Sequence, residues 1–170
     1  MSDDRAIRND RQLFVDDYWI EVASGVTRRL HRPDKREAAI TPEHPWELGG
    51  VSYMVTFEDI SPITGAACYR AWYRCDCEMP PRDKRLPLIA YAESDDGIHW
   101  RKPMLNLLPF EGSKENNLVW TGPGNNMAPF RDDRPGVPDD ERYKAIVREG
   151  GIYALVSPDG LNWRLMRYCQ

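Results

Sequence analysis

The sequence predicts an all-β chain that forms part of a β-propeller, about two to two and a half blades of four antiparallel strands each. Three observations carry this. First, Ser-x-Asp-Gly-x-x-Trp occurs twice, as Ser94–Trp100 and Ser157–Trp163, with Asp96 and Asp159 63 residues apart (159 − 96). A period of this size marks an architecture of repeated supersecondary units. Second, two further blocks repeat in the same order. Phe57-Glu58-Asp59 matches Phe130-Arg131-Asp132, and Tyr69-Arg70-Ala71 matches Tyr143-Lys144-Ala145, at spacings of 73 and 74 (130 − 57 and 143 − 69). Third, the runs between turn signals are rich in β-branched and aromatic residues, and no long segment carries the apolar spacing of a helix.

The elements follow in chain order. Val51–Phe57, Cys68–Arg74 and Pro87–Ala92 read as the first three strands of one unit. Asn126–Phe130, Tyr143–Arg148 and Ile152–Val156 read as those of the next, and a fourth strand starts at Trp100 and at Trp163. Each Asp-Gly pair is a hairpin signal: Gly accepts positive φ, and the Asp carboxylate bonds turn amides two residues on. The copies differ mainly in the link between their second and third blocks, Cys75–Leu88 in the first and Glu149-Gly150-Gly151 in the second. The basic Arg82-Asp83-Lys84-Arg85 beside Pro80-Pro81 reads as a solvated hairpin tip. A sandwich is the competing all-β reading, but it gives no reason for the repeat.

A single domain spans 1–170: an N-terminal strand and loop segment at 1–45, a first repeat at 46–110 and a second at 118–170. Closed propellers have about 4 to 8 blades. The chain therefore reads as the N-terminal part of a larger propeller, completed by further blades or by self-association.

Composition narrows the function classes. With 41% hydrophobic and 29% charged residues, a net charge of −4 and a pI near 5.4, the chain reads as globular and lacks the basic face that nucleic acid or an anionic membrane requires. The N-terminus carries acids rather than an apolar stretch, so a cytoplasmic location is expected. Cys68, Cys75, Cys77 and Cys169 read as reduced thiols, and Cys75-x-Cys77 is too short for a zinc knuckle. His31, His44 and His99 show no metal or triad pattern. No cofactor or metal is called for.

Chemistry in a propeller belongs on the innermost strands, where polar groups converge on a channel. With the first strand of each copy innermost, the candidates are Trp46, Glu47, Ser52, Tyr53, Asn125, Asn126, Asp132 and Asp133. Aromatic, amide and carboxylate groups together are what a sugar site uses: a ring face for C–H groups, amides for hydroxyls, paired carboxylates for acid–base or nucleophilic work. Trp72, Trp100 and Trp163 read as packing residues, and Gly122-Pro123-Gly124 as a turn rather than a phosphate loop.

A longer run of motifs resembles a known superfamily. Arg11-Gln12-Leu13-Phe14-Val15-Asp16-Asp17-Tyr18-Trp19, Thr27-Arg28-Arg29-Leu30-His31, Pro45-Trp46-Glu47, Tyr91-Ala92-x-Ser94-x-Asp96-Gly97-x-x-Trp100-x-Lys102-Pro103, Asn116-Asn117 and Ala128-Pro129-Phe130-x-Asp132 followed by Glu141-Arg142-Tyr143-Lys144-Ala145 look like bacterial proteins assigned to the five-bladed glycoside hydrolases. These include the invertase and levanase group (family 32) and the arabinanase and xylosidase group (family 43). The resemblance implies three acids around the channel: a nucleophile or base on the first blade, a stabiliser on the second and a general-acid Glu further on. Phe130-Arg131-Asp132 is similar to the stretch carrying the second acid, although Asp133 and Arg134 separate Asp132 from Pro135. The first acid is open between Asp16, Asp17 and Glu47, with Asp17 taken as the catalytic candidate. Asp16-Asp17 can equally hold a loop through local hydrogen bonds.

The expected substrate-binding residues are Trp46, Glu47, Asn125 and Asn126, and the expected partner is a carbohydrate. No Glu of this sequence can be named as general acid, so little or no glycosidase activity is expected of these 170 residues. The alternative is a non-catalytic carbohydrate-binding or assembly module. Ser-x-Asp-Gly-x-x-Trp also resembles the Asp-box turn of sialidases, but Arg70, Arg74 and Arg148 fall on middle strands rather than forming the arginine cluster an acidic sugar needs.

Overall fold

The structure, a computed structural model, describes residues 9, 11, 13, 15–79 and 84–169; side chains of 78–79, 84–87 and 167–169 lie outside that description. It divides into two units, one up to Arg36 and one from Glu37. The described part of the N-terminal unit is a loop without regular secondary structure. Local bonds hold its turn: the Tyr18 amide donates to Asp16 Oδ1 at 3.0 Å, and the Ile20 amide to the Asp17 carbonyl at 3.0 Å.

The second unit is all-β, with single 3₁₀ turns at Pro45–Glu47 and Asp139–Glu141. Its strands are β1 (Val51–Ile60), β2 (Ala67–Met79), β3 (Lys84–Ser94), β4 (Trp100–Arg101), β5 (Leu118–Trp120), β6 (Asn125–Arg131), β7 (Tyr143–Arg148), β8 (Ile152–Ser157) and β9 (Arg164–Cys169). They form two open antiparallel sheets, β1-β2-β3-β4 with β5 also paired to β3, and β6-β7-β8-β9. All six strands expected within the two repeats are present, and the fourth strands start at or just after their Trp residues.

Two features depart from the sequence reading. The link at Cys75–Leu88 is largely ladder: pairing continues through Cys77–Leu86 to Met79–Lys84, so β2 and β3 form one long hairpin. Pro80–Asp83, including much of the basic cluster, lie outside the described residues. β5 was not anticipated. It pairs through Leu118 and Trp120 with Ala90 and Ile89, along the edge of β3 that two-residue β4 leaves uncovered.

Alternation along β2 explains the core. Ala71, Tyr73, Cys75 and Cys77 face one side and pack with Trp46, Leu88, Ala90 and Leu118. Trp72 faces the other, with Ile89 and Tyr91, and there the second sheet lies against it through Met127, Val147 and Leu155. Residues i and i+2 share a face in a strand, so a run buried at every position marks a sheet covered on both sides.

The two Ser-x-Asp-Gly turns have the same internal bonding. Ser94 Oγ accepts from the Gly97 amide at 2.8 Å, and Ser157 Oγ from Gly160 at 2.9 Å. Asp96 Oδ1 accepts from the Ile98 and His99 amides, and Asp159 Oδ1 from Leu161 and Asn162, all at 2.8 Å. The acid of this motif is an architectural group, as its turn chemistry implies.

Candidate functional site

Asp17 stands in the N-terminal unit, its exposed carboxylate paired with the Arg28 guanidinium. Asp16 holds the adjacent turn. Within the second unit the sequence-predicted residues fall in three places. Trp46 and Glu47 lie in the core against one face of the first sheet. Asn125 and Asn126 open β6, whereas Asp132 follows its end. Six residues of extended chain between Asn126 and Asp132 correspond to about 20 Å, so these two do not share one ligand contact.

Glu47 is fully buried and its oxygens are occupied. Oε1 accepts from Tyr73 Oη at 2.7 Å, and Oε2 from Lys102 Nζ at 2.8 Å and the Glu43 amide at 2.8 Å. Burial alone raises its pKa, but the Lys102, Tyr73 and Glu43 hydrogen bonds outweigh it and hold the carboxyl below its ordinary range. Trp46 donates its indole N–H to Asn117 Oδ1 at 2.9 Å, and Asn117 Nδ2 donates to Tyr73 Oη at 2.8 Å. This network pins the 3₁₀ turn to the first sheet.

Asp132 is bound by cations. Arg134 donates Nε to Oδ1 at 2.9 Å and a terminal NH2 to Oδ2 at 2.7 Å, and Lys144 Nζ donates to Oδ2 at 2.6 Å. The Arg134 and Lys144 hydrogen bonds hold its carboxyl far below the usual range.

Its repeat counterpart, Asp59, is a buried acid that the sequence reading aligned but did not single out. Oδ2 accepts from Arg70 NH1 at 3.1 Å and from Tyr143 Oη at 2.6 Å, while Oδ1 is paired with Arg131. Burial pushes Asp59 up, but Tyr143, the Ile60 amide, Arg131 and Arg70 together hold it below its ordinary value. The same acid carries Tyr143 the other way: burial and the bond to Asp59 push the phenol up to about 12. A depression of about 460 Å³ opens beside this cluster, lined in part by Ser61, Arg131, Asp133 and Arg142.

The opposite ends of the first strands show a second repeated feature. β1 and β6 each carry a bulge, between Ser52 and Val55 and between Asn125 and Ala128. Within them Tyr53 and Asn126 occupy matching positions, four residues before Phe57 and Phe130, with φ of 48° and 53°. A non-glycine residue at such φ is strained by about 1–2 kcal/mol, and bulges of this kind re-aim side chains. Arg74 bridges the two: its guanidinium lies 5.8 Å from the Tyr53 ring centroid and donates to Asn126 Oδ1 at 3.1 Å. Asp76 Oδ1 fixes it with two bonds at 2.9 and 2.7 Å. Tyr53 is exposed, and a groove of about 260 Å³ lies between it, Ile40 and Val51.

This rim has the composition of a site for a neutral polyol: an exposed ring face, an amide and an oriented guanidinium. Tyr53 and Asn126 carry no shared sequence signature. Only the alignment of the two Phe-x-Asp blocks, read four residues upstream, could have paired them.

For acid–base chemistry the described residues offer less. Glu47, Asp59, Asp95, Asp96, Asp132 and Asp159 are all held below their ordinary carboxyl values by the hydrogen bonds they accept. Among the described residues no three His, Cys, Asp or Glu side chains gather as a metal site needs, and no helix is long and apolar enough to cross a membrane. Comparison with protein-family models, curated protein sequences and solved structures finds no match to this chain.

Proposed function

We propose that this chain is part of a glycosidase-like β-propeller, with its two sheets as consecutive blades, and that it binds a carbohydrate without cleaving it. The observation that carries the reading is the pair of matched bulges, which place Tyr53 and Asn126 on one rim with Arg74 between them. A strained backbone repeated at the same position in two copies, with polar and aromatic side chains turned to the surface, is a ligand-site pattern. A tyrosine ring packs on the C–H face of a sugar, while the amide and guanidinium bond its hydroxyls.

Two carboxyls, Asp132 and Asp59, support retention of the ligand rather than hydrolysis. Glycoside cleavage needs one carboxylic acid that keeps its proton near neutral pH to assist the leaving oxygen. Asp132, bound by Arg134 and Lys144, and Asp59, bound by Tyr143, the Ile60 amide, Arg131 and Arg70, are both held below their ordinary values, which suits a charge-stabilising or architectural role but not that of proton donor. Loss of a general acid typically removes about 10²–10⁴-fold in rate.

The test is titration of the 170-residue chain with xylo-, arabino- and fructo-oligosaccharides, followed by amide chemical shifts and calorimetry. Saturable shifts centred on 52–54, 74 and 125–126, weakened at least tenfold in Tyr53→Ala, are expected, with no turnover of aryl-glycosides. Absence of binding across the panel, or binding unchanged in Tyr53→Ala, refutes the site. Turnover abolished by Asp132→Asn refutes the non-catalytic reading.

A further inference from the structure

We infer that the free face of the second sheet is the docking site for the Ser94–Trp100 turn of a second copy of this chain. The basis is the junction between the two sheets, which shows how such a turn is received. Arg70 NH2 donates to the Asp159 carbonyl at 2.6 Å and Trp72 Nε1 to the Gly160 carbonyl at 2.7 Å. Phe57 stacks on Trp72 at 5.0 Å. Asp59 holds Arg70 from behind and takes the Tyr143 hydroxyl from the incoming sheet.

The receiving set recurs on the second sheet without an occupant among the described residues. Phe130, Asp132, Lys144 and Ile146 stand where Phe57, Asp59, Arg70 and Trp72 stand in the first copy, and the acid–base pair is again formed, Lys144 on Asp132 at 2.6 Å. Burial is inverted. Trp72 is 0% exposed and Ile146 52%; Ile89 is 1% exposed and its counterpart Ile152 46%. An ammonium has three donors. Asp132 Oδ2 and the Glu141 carbonyl take two from Lys144, leaving one for a turn carbonyl as Arg70 gives one to Asp159.

The inserting set recurs on the first sheet, likewise uncovered. Its turn has the same Ser and Asp hydrogen bonds as the docked one, although Trp100 Nε1 lacks the bond that Trp163 Nε1 gives the Gly160 carbonyl at 2.9 Å. Leu161, 7% exposed at the junction, corresponds to Ile98 at 54%; Tyr143 at 7% corresponds to Tyr69 at 37%. Arg131 and Tyr143 are register partners across β6 and β7, as are Glu58 and Tyr69 across β1 and β2. Replacement of Arg131 by an acid at this place is matched on the receiving face. Asp59 meets Arg131 from the other sheet, whereas Asp132 already carries Arg134, 77% exposed and placed to meet Glu58 of a second copy.

One molecule thus presents both halves of an interface whose register its own sheets display. The two halves are different surfaces, so the contact is head-to-tail, and repetition either closes into a ring or extends.

Head-to-tail contact makes a specific prediction for two variants of the full 170-residue chain. Ile146→Asp removes the receiving face and keeps the turn; Ile98→Asp does the reverse. Sedimentation equilibrium over 5–500 µM is expected to show wild type above the 19.7 kDa monomer mass. Each variant alone is expected to be monomeric, its association weakened at least tenfold, with a wild-type amide spectrum outside the substituted site. A one-to-one mixture of the two is expected to form a dimer that grows no further. Monomeric wild type across the range, variants that associate like wild type, or a mixture that stays monomeric each overturn the inference.

Discussion

Gly97 and Gly160 form a matched pair in which one substitution separates the strain of a turn from the energetics of the sheet junction. They occupy the same place in turns closed by the same Ser and Asp bonds, with φ of 74° and 76°. Alanine at either therefore meets the same left-handed backbone penalty, about 1–2 kcal/mol. Their surroundings differ. A Cβ on Gly97 comes no closer than 3.7 Å to the Tyr69 ring, which is ordinary contact. On Gly160 it lies 2.7 Å from Arg70 NH2 and 2.9 Å from Trp72 Cζ2. Both neighbours are buried and hydrogen-bonded, so neither can retreat without breaking a bond to the turn.

Overpacking of this kind costs about 1–3 kcal/mol, and loss of the charged Arg70 bond about 1.5–3 more. Gly97→Ala should destabilise by about 1–2 kcal/mol and Gly160→Ala, with all three losses, by about 4–8 kcal/mol. Urea denaturation followed by tryptophan fluorescence, at a protein concentration where the chain is monomeric, measures both. Equal losses in the two variants would show that the junction contributes nothing beyond turn strain. That result would remove the template on which the second-copy contact rests.

Other perturbations probe the buried charges. Asp59→Asn leaves the fully buried Arg70 without its carboxylate and should cost about 3–5 kcal/mol. Because the folded Asp59 pKa is depressed, its contribution is fully present above about pH 4 and is lost as pH falls through the folded value. Urea midpoints taken from pH 6 to pH 2.5 should fall less steeply in Asp59→Asn than in wild type. Glu47→Gln should cost about 1–3 kcal/mol by removing the buried carboxylate from nearly buried Lys102, which keeps only the Thr41 carbonyl at 2.6 Å and the exposed Glu43 carboxylate at 3.4 Å, and Glu47→Gln with Lys102→Met should recover part of that loss. Thermal melts of the two variants and the double variant decide it. Tyr53→Gly relieves the positive φ and should leave stability unchanged or raise it by up to about 1 kcal/mol while removing carbohydrate binding, a split that calorimetry reads directly.

The parts of the fold legible in the sequence are those fixed by local chemistry. Ser, Asp and Gly at fixed spacing close a turn without help from the rest of the chain, so Ser94–Trp100 and Ser157–Trp163 could be placed from sequence. The β-branched and aromatic runs placed six strands for the same reason. What failed depended on partners distant in sequence. Leu118–Trp120 is too short to show a period and is a strand only because β3 offers it an edge. Residues 76–79 and 84–87, with their charges and Pro87, resemble a connection, yet they pair across a long hairpin.

The site was harder to read because burial, unlike turn chemistry, is a property of the assembled sheets. Trp46 and Glu47 have the residue types of a sugar site but sit in the core, satisfied by Asn117, Tyr73 and Lys102. Asp132 carries the resemblance to a catalytic stretch, yet its position repeats that of Asp59. Asp59 is an interface acid: it holds Arg70 against a neighbouring turn. The two readings of Asp132 make opposite demands on Lys144. A catalytic Asp132 would need Lys144 to keep a carboxylate charged near substrate, and Lys144→Met would cost activity while leaving association unchanged. An interface Asp132 needs Lys144 to reach a turn carbonyl, so Lys144→Met should weaken self-association and leave carbohydrate affinity at the distant Tyr53 rim untouched. The acid–base pairing in both repeats, Asp59 with Arg70 and Asp132 with Lys144, is the observation that favours the second.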